Sequence, residues 1–142
     1  MLEIEKLRVI GMFTGMTKIL LVDDENLILY SLGVTLRRDG SEVTAVANGK
    51  DALREIRRLP YDICFLDVNL PDANGLDLMK TVRQISPATR IVIMTAADLN
   101  NVQMSYLHNN ACHFLPKPFN LDNVRSLVDD ISRTDGPAAH EA

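Results

Sequence analysis

Short, continuous runs of apolar residues recur along the chain and predict buried strands. The strong runs cover 19–22, 63–66, 91–94 and 112–115, and a weaker one covers 43–47. Continuous rather than alternating apolarity indicates that both faces of a strand are covered, which is typical of a parallel sheet.

The segments between these runs have the spacing of amphipathic helices, with apolar residues three or four positions apart on one face. The predicted faces are Ile28, Leu32 and Leu36; Ala52, Leu53 and Ile56; Leu78 or Met79, Val82 and Ile85; and Leu121, Val124, Val128 and Ile131. A weaker helix is predicted from about residue 100 to 109. Five strands that alternate with five helices predict a doubly wound α/β fold.

The two ends of the chain lie outside this alternation, so we place the folded domain at 17–131. Residues 1–16 have apolar positions without a period. They are interpreted either as an extension, with Met16 a natural translation start, or as an added helix or strand that packs on the domain or on a second copy. Residues 132–142 are predicted to be a frayed end or the beginning of a linker.

Composition narrows the class of partner. The 142 residues carry a formal net charge of -4 and no basic stripe, so direct binding of nucleic acid is not expected. No run approaches the ~18 apolar residues of a membrane helix, and no signal peptide is evident. The two cysteines, Cys64 and Cys112, lie inside apolar runs and are interpreted as buried hydrophobic residues. We therefore expect a cytoplasmic protein.

Polar residues follow four of the predicted strands at the point where each strand ends. Asp23 and Asp24 follow the first strand, Asp67 the third, Thr95 the fourth and Lys117 the fifth. In a parallel sheet these positions share one edge, where open α/β sheets bind their ligands. Each has a plainer explanation alone, because an acidic pair often caps a helix and a lone polar residue in a loop is usually only solvated. Their combination predicts a functional site.

The residue types at this edge indicate magnesium-dependent phosphoryl chemistry. Three carboxylates, Asp23, Asp24 and Asp67, repel one another unless a cation joins them. Oxygen ligands without histidine or cysteine suit Mg²⁺. Lys117 and the metal would neutralise a phosphoryl group, and the Thr95 hydroxyl would donate to it. Asp67 then remains as a plausible nucleophile.

The sequence resembles the receiver domain of response regulators, of the CheY-like kind, over roughly 17–131. The resemblance rests on LLVDDE at 20–25, DVNLPDANG at 67–75, MTA at 94–96 and FLPKPF at 114–119. It implies a flavodoxin-like, three-layer α/β/α fold with strand order 2-1-3-4-5, and a cis peptide before Pro118. The function it implies is that of a signalling domain in a two-component phosphorelay, which takes part in its own Mg²⁺-dependent phosphorylation and dephosphorylation but is not an enzyme.

The resemblance also assigns roles at the metal site. Asp67 would accept the phosphoryl group from a sensor histidine kinase or a histidine phosphotransfer protein. Asp24 would bind Mg²⁺ directly and Asp23 mainly through water, while Asn69 would offer its backbone carbonyl.

Three further residues would carry the signal. Lys117 would pair with the phosphoryl group, Thr95 would be the switch hydroxyl and Phe114 the switch aromatic, where Tyr is commoner in the family. The output would be read by a downstream protein on the face built from the fourth helix, the fifth strand and the fifth helix. A homodimer is possible, and the chain is either a stand-alone receiver or one cut from a longer regulator.

Two other classes of protein fit the sequence less well. A haloacid-dehalogenase-like phosphatase needs a second Asp two positions after its nucleophile, where this chain has Asn69. A flavodoxin-like cofactor carrier needs a loop rich in hydroxyls and glycine after the first strand. The acidic residues 23–25 stand there instead and would repel a phosphate.

Overall fold

The computed structural model describes residues 17–96, 99–109 and 113–133. Within them, five strands alternate with five helices, as the apolar pattern predicts. The strands are β1 (Lys18–Val22), β2 (Glu42–Val46), β3 (Ile63–Asp67), β4 (Arg90–Thr95) and β5 (His113–Pro116). The helices are α1 (Asn26–Arg38), α2 (Gly49–Arg58), α3 (Gly75–Ile85), α4 (Asn101–Asn109) and α5 (Leu121–Ser132).

The strands form one parallel sheet in the order β2-β1-β3-β4-β5, which confirms the predicted topology. The register places Val22 beside Leu66 and Asp67 beside Met94. Because all strands run the same way, their carboxyl ends lie along one edge of the sheet. The loops that follow β1, β3, β4 and β5 are therefore neighbours in space.

Two apolar layers cover the two faces of the sheet, since successive side chains of a strand point to opposite faces. On one face, residues such as Leu20 and Leu66 pack with buried residues of α2 and α3 and with Leu107 of α4. On the other face, residues such as Ile19 and Phe65 pack with α1 and α5. This confirms the doubly wound, three-layer α/β/α arrangement.

The predicted helix faces agree with the observed burial at most positions. Leu32, Leu36, Ala52, Ile56, Leu78, Met79, Val82, Val124 and Ile131 are all buried. Ile85 is 36% exposed because it is the last residue of α3. Cys64 is fully buried as expected, and burial raises its pKa to about 12. Cys112 and residues 1–16 lie outside the described residues.

Asparagine side chains begin three of the helices. Asn48 accepts a hydrogen bond from Asp51 N at 2.8 Å, Asn74 from Leu76 N at 2.8 Å, and Asn120 from Asn123 N at 2.7 Å. Each bond satisfies a backbone donor that the first turn of a helix leaves without a partner. Glu25 occupies the same position before α1, but its side chain makes no capping bond. None of the described helices is long and apolar enough to cross a membrane.

Candidate functional site

The loop after β1 directs one carboxylate into the protein and the next one outward. The backbone N–H of Asp23 donates to Val46 O at 3.2 Å, continuing the pairing of β1 with β2. The Asp23 side chain is fully buried, and its Oδ1 accepts a hydrogen bond from Glu25 N at 2.8 Å. The Asp24 side chain is exposed. The two adjacent aspartates therefore occupy different environments, which their sequence positions do not reveal.

Asp67 is the last residue of β3, at the middle of the sheet edge. It is buried, and its Oδ1 accepts a hydrogen bond from Asn69 N at 3.2 Å. The next residue remains paired with β4, because Val68 N donates to Met94 O at 3.0 Å. The Asn69 side chain is exposed. The backbone on both sides of Asp67 is thus held, which fixes the direction of its carboxylate.

Lys117 joins the acidic groups. Its ammonium nitrogen lies 2.7 Å from Asp23 Oδ2, 2.9 Å from Glu25 Oε1 and 3.5 Å from Asp67 Oδ2. The backbone N–H of Lys117 donates to Thr95 O at 2.8 Å, which ties the end of β5 to the end of β4. The Lys117–Pro118 peptide is cis, as the family resemblance implies. One cation therefore meets three carboxylates from two separate loops.

The environment shifts the pKa of both central groups upward. For Asp67, burial and the neighbouring Asp23 charge raise the pKa, while the Asn69 N–H and Lys117 oppose the shift. For Lys117, burial alone would lower the pKa, but the negative charges of Asp23 and Glu25, at 2.7 Å and 2.9 Å, outweigh burial and raise the pKa. Lys117 is thus held as an ammonium, and excess negative charge surrounds Asp67.

The two predicted switch residues lie at the β4 and β5 side of this edge. Thr95 is the last residue of β4, is buried, and lies beside Pro116 in the register. Phe114 lies beside Ile93 on the edge strand β5 and is 37% exposed. Phe114 is therefore not a core residue in this structure. Its role as a switch stays a prediction.

The loop between β3 and α3 is attached to α2 by a residue that the sequence analysis did not single out. The Asp72 carboxylate accepts hydrogen bonds from Gly49 N at 2.7 Å and Lys50 N at 3.0 Å. These N–H groups begin α2, where the helix dipole favours a negative charge, and they lower the pKa of Asp72. No periodicity signals such a contact, since the partners are more than twenty positions apart.

Glu25 is the other residue whose place the sequence left open. The sequence predicted that the acidic residues after β1 and Lys117 lie at one edge, but nothing in the pattern shows that Glu25 rather than Asp24 faces Lys117. Glu25 lies at the N-cap position of α1, where an acidic side chain often accepts a hydrogen bond from the first turn of the helix. The absence of a capping bond from its side chain and the 2.9 Å contact with Lys117 argue for a role in the site.

The donor set fits a hard divalent cation. Carboxylate oxygens of Asp23, Glu25 and Asp67 all lie within 4.8 Å of one another. Mg²⁺ is bound through one or two carboxylates and keeps several waters, so oxygen donors around an open edge suit it. Asp24, exposed in the same loop, and the Asn69 carbonyl are the further ligands that the resemblance implies. Their contact with a metal stays a prediction.

Comparisons of sequence and of structure with known proteins both identify response regulators as relatives of this chain. The sequence model of the response regulator receiver domain matches residues 19–129. The chain is 37% identical over 125 residues to the response regulator protein PilR of Pseudomonas aeruginosa. This match covers 88% of the chain but only 28% of PilR, so the chain spans less than a third of that relative's length.

Solved structures share the fold over almost their whole length. A two-component response regulator from Clostridium difficile has a TM-score of 0.77 and 29% identity, covering 83% of this chain and 97% of that one. The response regulator protein TrrA from Thermotoga maritima, solved in complex with Mg²⁺ and BeF, has a TM-score of 0.71 and 30% identity. This second match covers 82% of the chain and 99% of TrrA.

Proposed function

We propose that this chain, which belongs to the response regulator receiver domain family, accepts a phosphoryl group on Asp67. Membership of the family makes it a signalling domain of two-component systems. The observation that supports Asp67 is its position between a fixed lysine and a fixed backbone N–H. Lys117 lies 3.5 Å from its Oδ2, and Asn69 N lies 3.2 Å from its Oδ1.

The proposed reaction is an in-line displacement at phosphorus. A carboxylate oxygen of Asp67 forms a bond to phosphorus, and the bond from phosphorus to a histidine nitrogen of the donor protein, or to an oxygen of a small donor, breaks. Lys117 faces the negative charge that the phosphoryl oxygens carry. Desolvation of Asp67 leaves its carboxylate less stabilised by water and therefore more reactive.

Mg²⁺ is the cofactor that we propose for this step. Asp23, Asp24 and Asp67 would hold it together with the Asn69 carbonyl, and the bound ion would supply positive charge to the phosphoryl oxygens. The residues of the chain have a separate task, which is to hold Asp67 and Lys117 in a fixed relation before a donor arrives.

The proposed signal passes along the sheet edge to a protein partner. A phosphoryl group adds close to two negative charges, toward which the Thr95 hydroxyl would turn. Phe114 would then occupy the space that Thr95 leaves. This would change the face formed by α4, β5 and α5, where a downstream protein or a second copy would bind. The donor would be a sensor histidine kinase or a histidine phosphotransfer protein.

The assignment of Asp67 is tested by mass spectrometry of the intact protein after incubation with acetyl phosphate and Mg²⁺. We expect the wild-type protein to gain the mass of one phosphoryl group and Asp67→Asn to gain none. Asp77→Asn is the matched control, because Asp77 is an exposed aspartate in α3 whose carboxylate lies 4.0 Å from the Lys80 ammonium. Equal labelling of Asp67→Asn and Asp77→Asn under native conditions would falsify the assignment.

The switch is tested by NMR of the Phe114 ring with and without beryllofluoride. We expect the ring resonances to report two environments, with the inward one favoured by beryllofluoride. Thr95→Ala should uncouple the ring from beryllofluoride while leaving beryllofluoride bound. A ring that keeps one environment in all four samples contradicts the proposed switch.

A further inference from the structure

The ammonium group of Lys117 is shared among three carboxylates: it donates hydrogen bonds to Glu25 Oε1 and Asp67 Oδ2 and forms an ion pair with Asp23 Oδ2. It carries three N–H groups, and three carboxylates lie around it at 2.7, 2.9 and 3.5 Å. A phosphoryl group on Asp67 would also need a hydrogen bond from Lys117. The phosphoryl oxygens would therefore compete with the neighbouring carboxylates for the Lys117 ammonium group.

Burial decides which carboxylate is released most easily. The Asp23 side chain is 0% exposed and the Asp67 side chain 6%, whereas that of Glu25 is 59% exposed. A carboxylate that leaves Lys117 must exchange that contact for water, and only Glu25 reaches water without unfolding the loop. Asp23 is held in addition by its bond from Glu25 N, and Asp67 would itself carry the phosphoryl group.

The backbone of Glu25 stays in place while its side chain moves. Glu25 N donates to Asp23 Oδ1 at 2.8 Å, and Glu25 O accepts from Leu29 N at 3.1 Å, in the first turn of α1. Both bonds are independent of the carboxylate, which makes no capping bond. A rotation of the Glu25 side chain alone would thus free Lys117 without a change in the helix.

We propose that Glu25 is a positioning residue that holds Lys117 in the unphosphorylated protein and competes with the phosphoryl group for it. This inference rests on the proposed function of Asp67. In the unphosphorylated protein, the Glu25 carboxylate keeps the ammonium near Asp67 and adds a negative charge within 4.8 Å of it. On phosphorylation, Glu25 turns to solvent. Its charge therefore lowers the affinity of the site for any phosphoryl-like anion.

The test uses beryllofluoride as the probe, titrated into the protein at saturating Mg²⁺ and low ionic strength. We expect Glu25→Gln to bind it about two- to fivefold more tightly than wild type, the size typical of one exposed charge pair. The difference should shrink as salt screens the exposed charge. Glu42→Gln is the matched control, since Glu42 is an exposed glutamate at the opposite edge of the sheet. The Glu42→Gln variant should bind beryllofluoride with the same affinity as wild type.

A spectroscopic readout separates this role from a general effect on folding. The ¹⁵N resonance of the Lys117 ammonium group should shift in Glu25→Gln and stay unchanged in Glu42→Gln, both without beryllofluoride. With beryllofluoride bound, the Lys117 resonances of wild type and Glu25→Gln should converge, because Glu25 has by then left the lysine.

Two results would overturn the inference. One is an unchanged beryllofluoride affinity of Glu25→Gln. The other is a loss of Mg²⁺ affinity beyond tenfold in that variant, which would make Glu25 a metal ligand rather than a competitor for Lys117. Failure of the proposed function looks different, because wild type and Asp67→Asn would then take up the same amount of phosphoryl label from acetyl phosphate.

Discussion

The loop between β3 and α3 and the helix α4 are held to the protein in different ways. The loop is attached by directed hydrogen bonds, among them Gly75 N to Val68 O at 2.7 Å and Leu70 N to Ala73 O at 3.3 Å, and by the Asp72 contact with α2. Among the described residues of α4, only Leu107 is buried, while Val102 is 79% exposed. The proposed reaction site thus lies beside a loop that many hydrogen bonds hold, whereas the proposed output surface includes a helix with a single buried side chain among its described residues.

This difference shows how one small domain can combine a firmly held site, where we propose the reaction, with a surface that moves more easily. Hydrogen bonds that fix a loop exclude alternative positions of Asp67 and Asn69. A helix held mainly by one buried leucine, with Tyr106 and Leu99 partly buried beside it, changes position at a smaller cost in free energy. The rigid part keeps Asp67, the proposed acceptor, in position, and the weakly attached part is suited to the proposed output.

The largest expected loss of stability comes from truncating one buried leucine in α3 and one in α4. Leu78 of α3 and Leu107 of α4 are both 4% exposed. We expect Leu78→Ala to lower the free energy of unfolding by about 3–5 kcal/mol and Leu107→Ala by about 2–3 kcal/mol, because α4 is able to settle into part of the cavity. Urea denaturation measures both values, with Val102→Ala as an exposed control within about 0.5 kcal/mol of wild type.

Equal losses in the free energy of unfolding for the two leucine variants would contradict this comparison, since they would show that α4 is packed as firmly as α3.

The second prediction concerns Gly75, which packs against the backbone of Asp67 and Val68 at the end of β3. A Cβ there would collide with the Asp67 carbonyl oxygen and lie 2.6 Å from Val68 Cα. Since neither group is the movable end of a side chain, we expect Gly75→Ala to cost about 1–3 kcal/mol and to slow phosphorylation by acetyl phosphate.

Gly33→Ala is the control for this substitution. A Cβ at Gly33, in α1, meets only the terminal atoms of the Arg37 side chain, the nearest at 2.9 Å. That group moves aside, so the variant should be as stable as wild type or up to about 1 kcal/mol more stable. If the two alanine variants unfold at the same denaturant concentration, the loop is not held as tightly as its contacts indicate.

The smallest effect is expected from the Asp72 contact, and it depends on pH. The folded protein lowers the pKa of Asp72, so the contact adds stability above the ordinary carboxyl pKa, and this stability is lost as the pH falls through the lowered value. Asp72→Asn should therefore melt at a lower temperature than wild type at pH 7. The gap should close below about pH 4. Asp130→Asn, an exposed aspartate in α5, should show no such closing gap.

A difference in melting temperature that stays constant from neutral to acidic pH would contradict this prediction. It would mean that the negative charge of Asp72 does not contribute to holding the loop.

The sequence predicted the frame of the protein better than the details of the site. Continuous apolar runs located β3 and β4 to within a residue, since burial on both faces leaves no ambiguity. The helix 101–109 was predicted only weakly, because few of its side chains are buried and its apolar pattern is correspondingly faint.

At the site, strand ends predicted which residues converge but not which side chains face one another. Asp23 points inward and Asp24 outward because of the backbone turn after β1, and that turn has no signature in residue type. Glu25 occupies the N-cap position of α1, but its side chain makes no capping bond and instead contacts Lys117, ninety-two positions away. Contacts of this kind depend on how distant loops approach, which local patterns do not encode.

The asparagines that begin α2 and α3 have a consequence for the chemical ageing of the protein. Both are followed by glycine, at Asn48-Gly49 and Asn74-Gly75, and such pairs lose ammonia when the glycine nitrogen attacks the asparagine side chain. In the folded protein, Gly49 N donates to Asp72 Oδ1 and Gly75 N donates to Val68 O, each at 2.7 Å. The contacts that fix the loop after β3 therefore also engage both nitrogens, and we expect deamidation during storage to occur mainly in molecules that have unfolded.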